Sequence, residues 1–274
     1  IGQTDLTAIQ ARLRNTVDGT RPYLALEVFG GGPGRLSPFA FVPVGSVLGL
    51  DADVQLKNAF KSYNSPPNDG NIGDLRYFGE QSGLPASDRT LTFVQNHDTE
   101  RNGDALNYKD RPTNIIANEF LLAYGYGRPQ VYSGFAWTTT DDSPPSDANG
   151  FITDTDCATG WVCVDRFTGV ANMVGFHNAV GAAPVANWYD DGVNLIAFSR
   201  GDQGWITINN STAPKTRTFT TGLPRGTYCD IIHGDSFGGA CSGPTVTVNG
   251  TGRATVTVAA KDAVALYVGT LVRH

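Results

Sequence analysis

The segment "TLTFVQNHDTERNG", Thr90–Gly103, sets an apolar run directly against a block of polar and titratable side chains. Leu91 to Val94 is too short for a helix and carries the aromatic and β-branched residues of a buried strand. Asn96, His97 and Asp98 stand at its C-terminal end, and a glycine follows at Gly103. A strand buried on both faces belongs to a parallel sheet, and parallel strands need crossover helices between them.

Outward from this segment the pattern repeats. "YLALEVF" (Tyr23–Phe29) is an apolar run closed by Gly30, Gly31 and Gly32. "SVLGLDA" (Ser46–Ala52) leads into "VQLKNAF", and "PQVYSGF" (Pro129–Phe135) follows the helical pattern "TNIIANEFLLAYGYG". Runs separated by helices predict βα units and a parallel sheet over residues 1–186. From Trp188 onward the character changes. "VNLIAFSR", "GWITINN", "TRTFTTG", "GTYCDII" and "DAVALYVG" are short strands between turn residues. "TVTVNGTGRATVTV" predicts a hairpin about an Asn-Gly turn. Residues 187–274 are therefore expected to form an antiparallel β-sandwich of Greek-key type.

Of the 274 residues, 40% are hydrophobic and 17% charged, which suits a globular fold with a large core. The net charge of −6 and the lack of a basic run disfavour a nucleic-acid partner. No apolar stretch approaches the roughly 18 residues of a membrane span. The chain opens at Ile1 and its only methionine is Met173, so a preceding segment is expected. "IGQTDLTAIQARLRN" lacks the basic start and apolar block of a signal peptide, and reads as a helix behind a Thr4 cap. The four cysteines are spaced C-x5-C and C-x11-C, which does not suit zinc. Of the three possible pairings, Cys157–Cys163 with Cys229–Cys241 is the simplest, and it implies an oxidising compartment. Asn209, Asn210 and Asn249 lie in glycosylation sequons.

In a parallel barrel the C-terminal strand ends gather on one face and carry the chemistry. Glu27 and His97–Asp98 both occupy such ends. A carboxylate partly buried there can keep its proton and act as a general acid, and carboxylates around one pocket suit glycosidic cleavage. The competing readings are structural. Glu27 would pair with an arginine, Asp98 would cap the next turn, and His97 would be a hydrogen-bonded core histidine.

"FVQNHDTER" resembles the F-V-x-N-H-D motif of the α-amylases of glycoside hydrolase family 13, and "YLALEVFGGG" resembles their general-acid motif. "SDRTLTFVQNHD", "DCATGWVCVDRFTGVANMVGFHN" and "GLPRGTYCDIIHGDSFGGACSG" resemble the animal-type and actinobacterial branch; the last two carry both cysteine pairs at that branch's disulfide positions. The resemblance implies Glu27 as general acid/base, Asp98 as the carboxylate that stabilises the transition state, and His97 as a sugar contact. Asn96 matches a chloride ligand, but Gln130 stands where chloride-activated members carry arginine, which argues against chloride activation. The nucleophile motif G-F-R-x-D-A-x-K-H has no counterpart; "GLDAD" (Gly49–Asp53) lacks its arginine and its Lys-His. The resemblance thus implies barrel strands five to eight plus the C-terminal β domain, with strands one to four, the nucleophile and the main calcium ligands upstream. It further implies a secreted enzyme, a monomer when complete, that hydrolyses internal α-1,4 bonds of starch and related glucans with retention. A non-catalytic glucan-binding fragment is the alternative, and the 274 residues alone are not expected to be active.

Overall fold

The computed structural model describes residues 1–30, 37–61 and 71–273. Gly31 and Gly32 of the first glycine run lie outside the described residues. The first part comprises α1 (Gln3–Arg12), β1 (Ala25–Leu26), α2 (Pro38–Phe41), β2 (Ser46–Leu48), α3 (Leu50–Phe60), β3 (Thr90–Thr92), α4 (Thr99–Asn102), α5 (Pro112–Tyr124) and β4 (Arg128–Pro129). The strands pair in parallel in the order β1-β2-β3-β4, with Leu26 beside Val47, Leu48 beside Leu91 and Thr92 beside Pro129. This is the barrel portion with the helical connections that parallel pairing demands. The ladders are shorter than the apolar runs. Past Thr92 the chain leaves the sheet, yet Phe93, Val94 and Gln95 stay buried.

α5 shows why a helix forms where it does. Pro112 starts it, needing no amide partner at that position, and Gly125 ends it at φ 87°. Ile116, Phe120 and Ala123 are fully or almost fully buried between. α1 differs. It begins at Gly2, so Thr4 lies within the helix rather than capping it, and none of its residues is buried.

A small antiparallel pair, β5 (Gly134–Phe135) with β6 (Trp161–Val162), precedes α6 (Thr168–Val180). Next come β7 (Val185–Asp190), β8 (Leu195–Arg200), β9 (Gly204–Asn209), β10 (Lys215–Thr220), β11 (Gly226–Cys229), β12 (Ser236–Phe237), β13 (Ala240–Cys241), β14 (Thr245–Val248), β15 (Arg253–Val258) and β16 (Asp262–Tyr267). The central antiparallel sheet runs β16-β9-β8-β7. Its inner strands β8 and β9 are buried on both faces. Ile196 and Phe198 of β8 join a core with α3, α5 and α6, while Leu195 and Ala197 face a second core under β10, β11, β14 and β15. The central strands consequently read as continuous apolar runs without a polar face.

The expected hairpin is half right. Asn249 N–H reaches the Arg253 carbonyl (2.9 Å), and the Asn249 side chain accepts from the Thr251 and Arg253 amides, so the turn forms. The flanking strands then part: β14 pairs with β11 and β15 with β10. Thr/Val alternation specifies a strand with one buried face but not its neighbour. Both disulfides of the simplest pairing are formed, with sulfur–sulfur distances of 2.06 Å for Cys157–Cys163 and 2.00 Å for Cys229–Cys241. No described helix is long and apolar enough to cross a membrane. Asn209 and Asn210 are buried; Asn209 donates to three backbone carbonyls, so neither suits a glycan. Asn249 is exposed.

Candidate active site

Parallel pairing puts the C-terminal ends of β1 to β4 on one side of the sheet, and Glu27 and the Asn96–Asp98 turn with them. Glu27 directly follows β1. Its neighbours Leu26 and Val28 pack with Phe41, Val44 and Val47 against the α2 layer. Alternation along the strand therefore turns Glu27 to the face away from the helices. It is exposed, not partly buried as a general acid was expected to be. The cause is its place in the sheet: among the described residues β1 is an edge strand with a single neighbour. Asp51, in the first turn of α3, lies close to this end: a side chain at Gly30 would meet its carboxylate at 3.3 Å.

The turn after β3 is built by Asn96. Its side-chain oxygen accepts from the amides of Asp98 (2.9 Å) and Thr99 (2.8 Å), while the Thr99 hydroxyl accepts from the Asn96 amide (3.0 Å). Asparagine, not aspartate, thus caps α4, and the Asp98 side chain makes no capping bond although Asp98 sits at the cap position. The capping reading of Asp98 fails. The core reading of His97 fails too: its side chain is 70% exposed and that of Asp98 is 56% exposed, with Nε2 and Oδ2 3.7 Å apart. Two polar side chains are held out into the space in front of the sheet by a turn whose own polar groups are satisfied.

Residues that the sequence reading did not single out support this turn. Arg101 stacks on the Phe135 ring at 4.7 Å and donates to the carbonyls of Thr140 (2.8 Å) and Asp142 (3.0 Å), fastening the polar 138–142 loop over α4. Glu100 is buried beside it, and burial raises its carboxyl above the ordinary range. On α3, Asp53 is fully buried beneath the turn. Asn96 and Gln130, the positions compared with a chloride site, carry no positive charge. Asn96 Oδ1 accepts from two amides, and Gln130 is exposed, its backbone amide donating to the Thr92 carbonyl (2.8 Å). No three His, Cys, Asp or Glu side chains converge to hold a metal among the described residues.

Residues 186–269 match the family model described as the α-amylase C-terminal all-beta domain. Over 98% of its length the chain is 39% identical to an α-amylase of Thermomonospora curvata, covering 43% of that protein. It is 36% identical to an α-amylase of Tenebrio molitor over 94% of its length, covering 56% of that relative. The structure superposes on wild-type α-amylase I of Eisenia fetida with a TM-score of 0.89, at 32% identity and with 98% of this chain and 59% of that one covered. Over nearly its whole length the chain is similar to α-amylases. A glutamate-to-glutamine variant of the same Eisenia α-amylase, crystallised with maltohexaose, superposes with a TM-score of 0.88. The chain spans about half the length of the α-amylases it matches, and the all-beta match lies in its last third.

Proposed function

We propose that the protein is a secreted, retaining α-amylase that cleaves internal α-1,4 bonds of starch-like glucans. In this reading residues 1–186 supply the second half of the catalytic barrel and residues 187–274 the C-terminal β domain. Glu27 protonates the leaving glycosidic oxygen and then deprotonates the attacking water. Asp98 stabilises the positive charge that grows on the sugar, and His97 hydrogen-bonds a sugar hydroxyl. A retaining mechanism needs a nucleophilic carboxylate about 5–5.5 Å from the acid. We place it upstream, because Asp51 stands in none of the sequence that surrounds that nucleophile in the family. Calcium, in this reading, is also held by residues outside those described, and no step uses it. Secretion is supported by the two disulfides, the lack of a nucleic-acid partner by the acidic net charge, and a glucan substrate by the similarity to α-amylases; a monomer when complete is part of the same reading.

One observation carries the reading: a single parallel sheet brings Glu27 and the His97–Asp98 turn to the same end, with Glu27 turned away from the helices. The test is Glu27→Gln in the protein at its full natural length. Starch hydrolysis should fall by roughly 10²–10⁴-fold, while maltooligosaccharide binding persists. Activity within a few-fold of wild type would remove Glu27 from the mechanism.

A further inference from the structure

α4 has only four residues, too few to keep its shape without outside contacts. Asp98 stands at its start, and the Asp98 carbonyl accepts from the backbone amides of Arg101 (3.0 Å) and Asn102 (3.2 Å). Whatever fixes Arg101 therefore also fixes the backbone of Asp98.

The Arg101 guanidinium is held on several sides. It lies over the Phe135 ring, 4.7 Å from the centroid, with the Trp137 ring at 5.9 Å. Nη1 donates to the carbonyls of Thr140 (2.8 Å) and Asp142 (3.0 Å). Nε stands 3.5 Å from the carboxyl of Glu100, whose side chain is buried. The loop that receives Arg101 is closed in its own right. The Asp142 carboxylate accepts from the amides and hydroxyls of both Thr138 and Thr139 (2.6–3.0 Å). The Tyr108 hydroxyl donates to the Trp137 carbonyl (3.0 Å) and accepts from the Trp137 amide (2.8 Å). One planar cation thus joins α4 to a prebuilt loop that continues from the β4 end of the sheet. A lysine could not stack on the ring and reach both carbonyls in the same way.

We propose that Arg101 is a positioning residue for Asp98: by clamping α4 to the 138–142 loop it sets the angle at which the Asp98 carboxylate meets the sugar. This rests on the reading of Asp98 as a substrate-facing carboxylate. Without the guanidinium, α4 and the loop part, and Asp98 turns away from the place where positive charge grows on the sugar. Stabilisation realised in the transition state is then lost, while ground-state binding spread over the rest of the cleft is kept.

The test uses the protein at full natural length. Starch turnover is measured for wild type, Asp98→Asn, Arg101→Met, Arg101→Lys, and Asp98→Asn combined with Arg101→Met. Methionine keeps an apolar stem against Phe135 and loses the charge and the donors. In Arg101→Met, kcat should fall about 10- to 100-fold with KM changed less than about threefold. Arg101→Lys should recover little of this. In the double variant the losses should not add: without the Asp98 charge its angle no longer matters, so kcat should stay within about threefold of Asp98→Asn alone. Additive losses, a rise in KM alone, or an Arg101→Met kcat within about threefold of wild type would overturn the proposal. A second readout needs no turnover. The Asn102 amide, bonded to the Asp98 carbonyl, should exchange its hydrogen at least about tenfold faster in Arg101→Met. The Ile206 and Ile208 amides of β9 should keep their wild-type rates, which shows that the variant is folded. If β9 loses protection, Asp142→Ala, which opens the loop and leaves Arg101 in place, carries the same comparisons. If wild type does not cleave starch, or Asp98→Asn is as active as wild type, the functional reading fails and Asn102 exchange alone decides the role of Arg101. An unchanged Asn102 rate refutes it.

Discussion

Arg200 shows how one side chain joins two helices to a sheet. It lies at the end of β8, is 4% exposed, and gives Nη1 to the Ala123 carbonyl (2.7 Å), Nη2 to Gly181 (2.8 Å) and Nε to Ala183 (2.7 Å). These acceptors sit at the C-terminal ends of α5 and α6, where the helix dipoles favour a cation and the last carbonyls lack partners. Gly125 makes room. It adopts φ 87°, and a side chain there would fall 2.5 Å from Arg200 Nη1. Arg200→Leu should cost about 2–4 kcal/mol, because one buried and two part-buried carbonyls lose their donor. Arg200→Lys should recover little of this, since an ammonium cannot reproduce the guanidinium fork. Thermal melting checks both, with a fall of about 2–4 °C expected per kcal/mol in a chain of this size. Sequence alone placed Arg200 only at the end of a strand. Its three acceptors come from segments up to 77 residues away. Asp53 was more accessible to reading: it falls at i, i+3 and i+7 with Leu56 and Phe60, on the apolar stripe of α3, whereas Asp51 does not.

At the scale of elements, the contact between α5 and the β domain carries an alkaline liability. Glu119 of α5 is buried against α6, where Gly169 leaves it space: a side chain there would lie 2.4 Å from Glu119 Oε1. Burial, reinforced by Asp262 and Asp230, raises its carboxyl to about 8. Nearby, His233 bonds Asp230 through Nδ1 (2.6 Å) and Asp262 through Nε2 (3.1 Å), and these bonds raise it to about 10. The native state thus holds a Glu119 proton that the unfolded chain releases from about 4.5, and a His233 proton that the unfolded chain releases from about 6.5. Both contributions are complete at low pH. Glu119's is lost as pH rises toward 8, and His233's as it rises toward 10. Melting temperature should therefore drop between pH 6 and 9.5. Glu119→Gln should flatten the part of the curve below pH 8 and leave the His233 part. A melting temperature that rises over this range would refute the assignment. Gly169→Ala should destabilise at every pH by displacing Glu119. The elements themselves were largely readable. α5 was evident from "TNIIANEFLLAY" with proline before and glycine after, and β8, β9 and β16 from their apolar runs. The pairing of β14 and β15 was not, because that choice is made by the cores they cover rather than by the turn between them.

At the scale of the whole molecule, the central sheet of the expected β domain packs into the core of the helical part. Ile196, Phe198, Ile206, Ile208, Ala263 and Ala265 of the central sheet share one core with α3, α5 and α6. Phe198 lies edge-on to Phe120 and stacks on Trp188, and Asn210 donates to the Phe60 carbonyl at the end of α3 (3.1 Å). Residues 187–274 expressed alone would expose that face, so they should bind a hydrophobic dye and melt without a sharp transition despite the Cys229–Cys241 bond. The opposite end of the chain shows the converse. α1 buries nothing, Ile9 and Leu13 are 46% and 41% exposed, and Phe29 beside Glu27 is 60% exposed. Together with strand β1, which has one neighbour among the described residues, this makes an apolar and hydrogen-bonding margin that a further strand could cover. The 274 residues alone should therefore associate or precipitate, and should release no reducing sugar from soluble starch. The deciding comparison is the purified chain against its Asp98→Asn variant, at equal concentration and confirmed folding by circular dichroism. Steady turnover that vanishes in the variant would show a nucleophile within these residues, with Asp51 beside Gly30 the first to substitute. No turnover in either, followed by turnover when the preceding barrel strands are supplied as a separate chain, would place the nucleophile upstream and make the exposed margin at β1 the seam of one catalytic barrel.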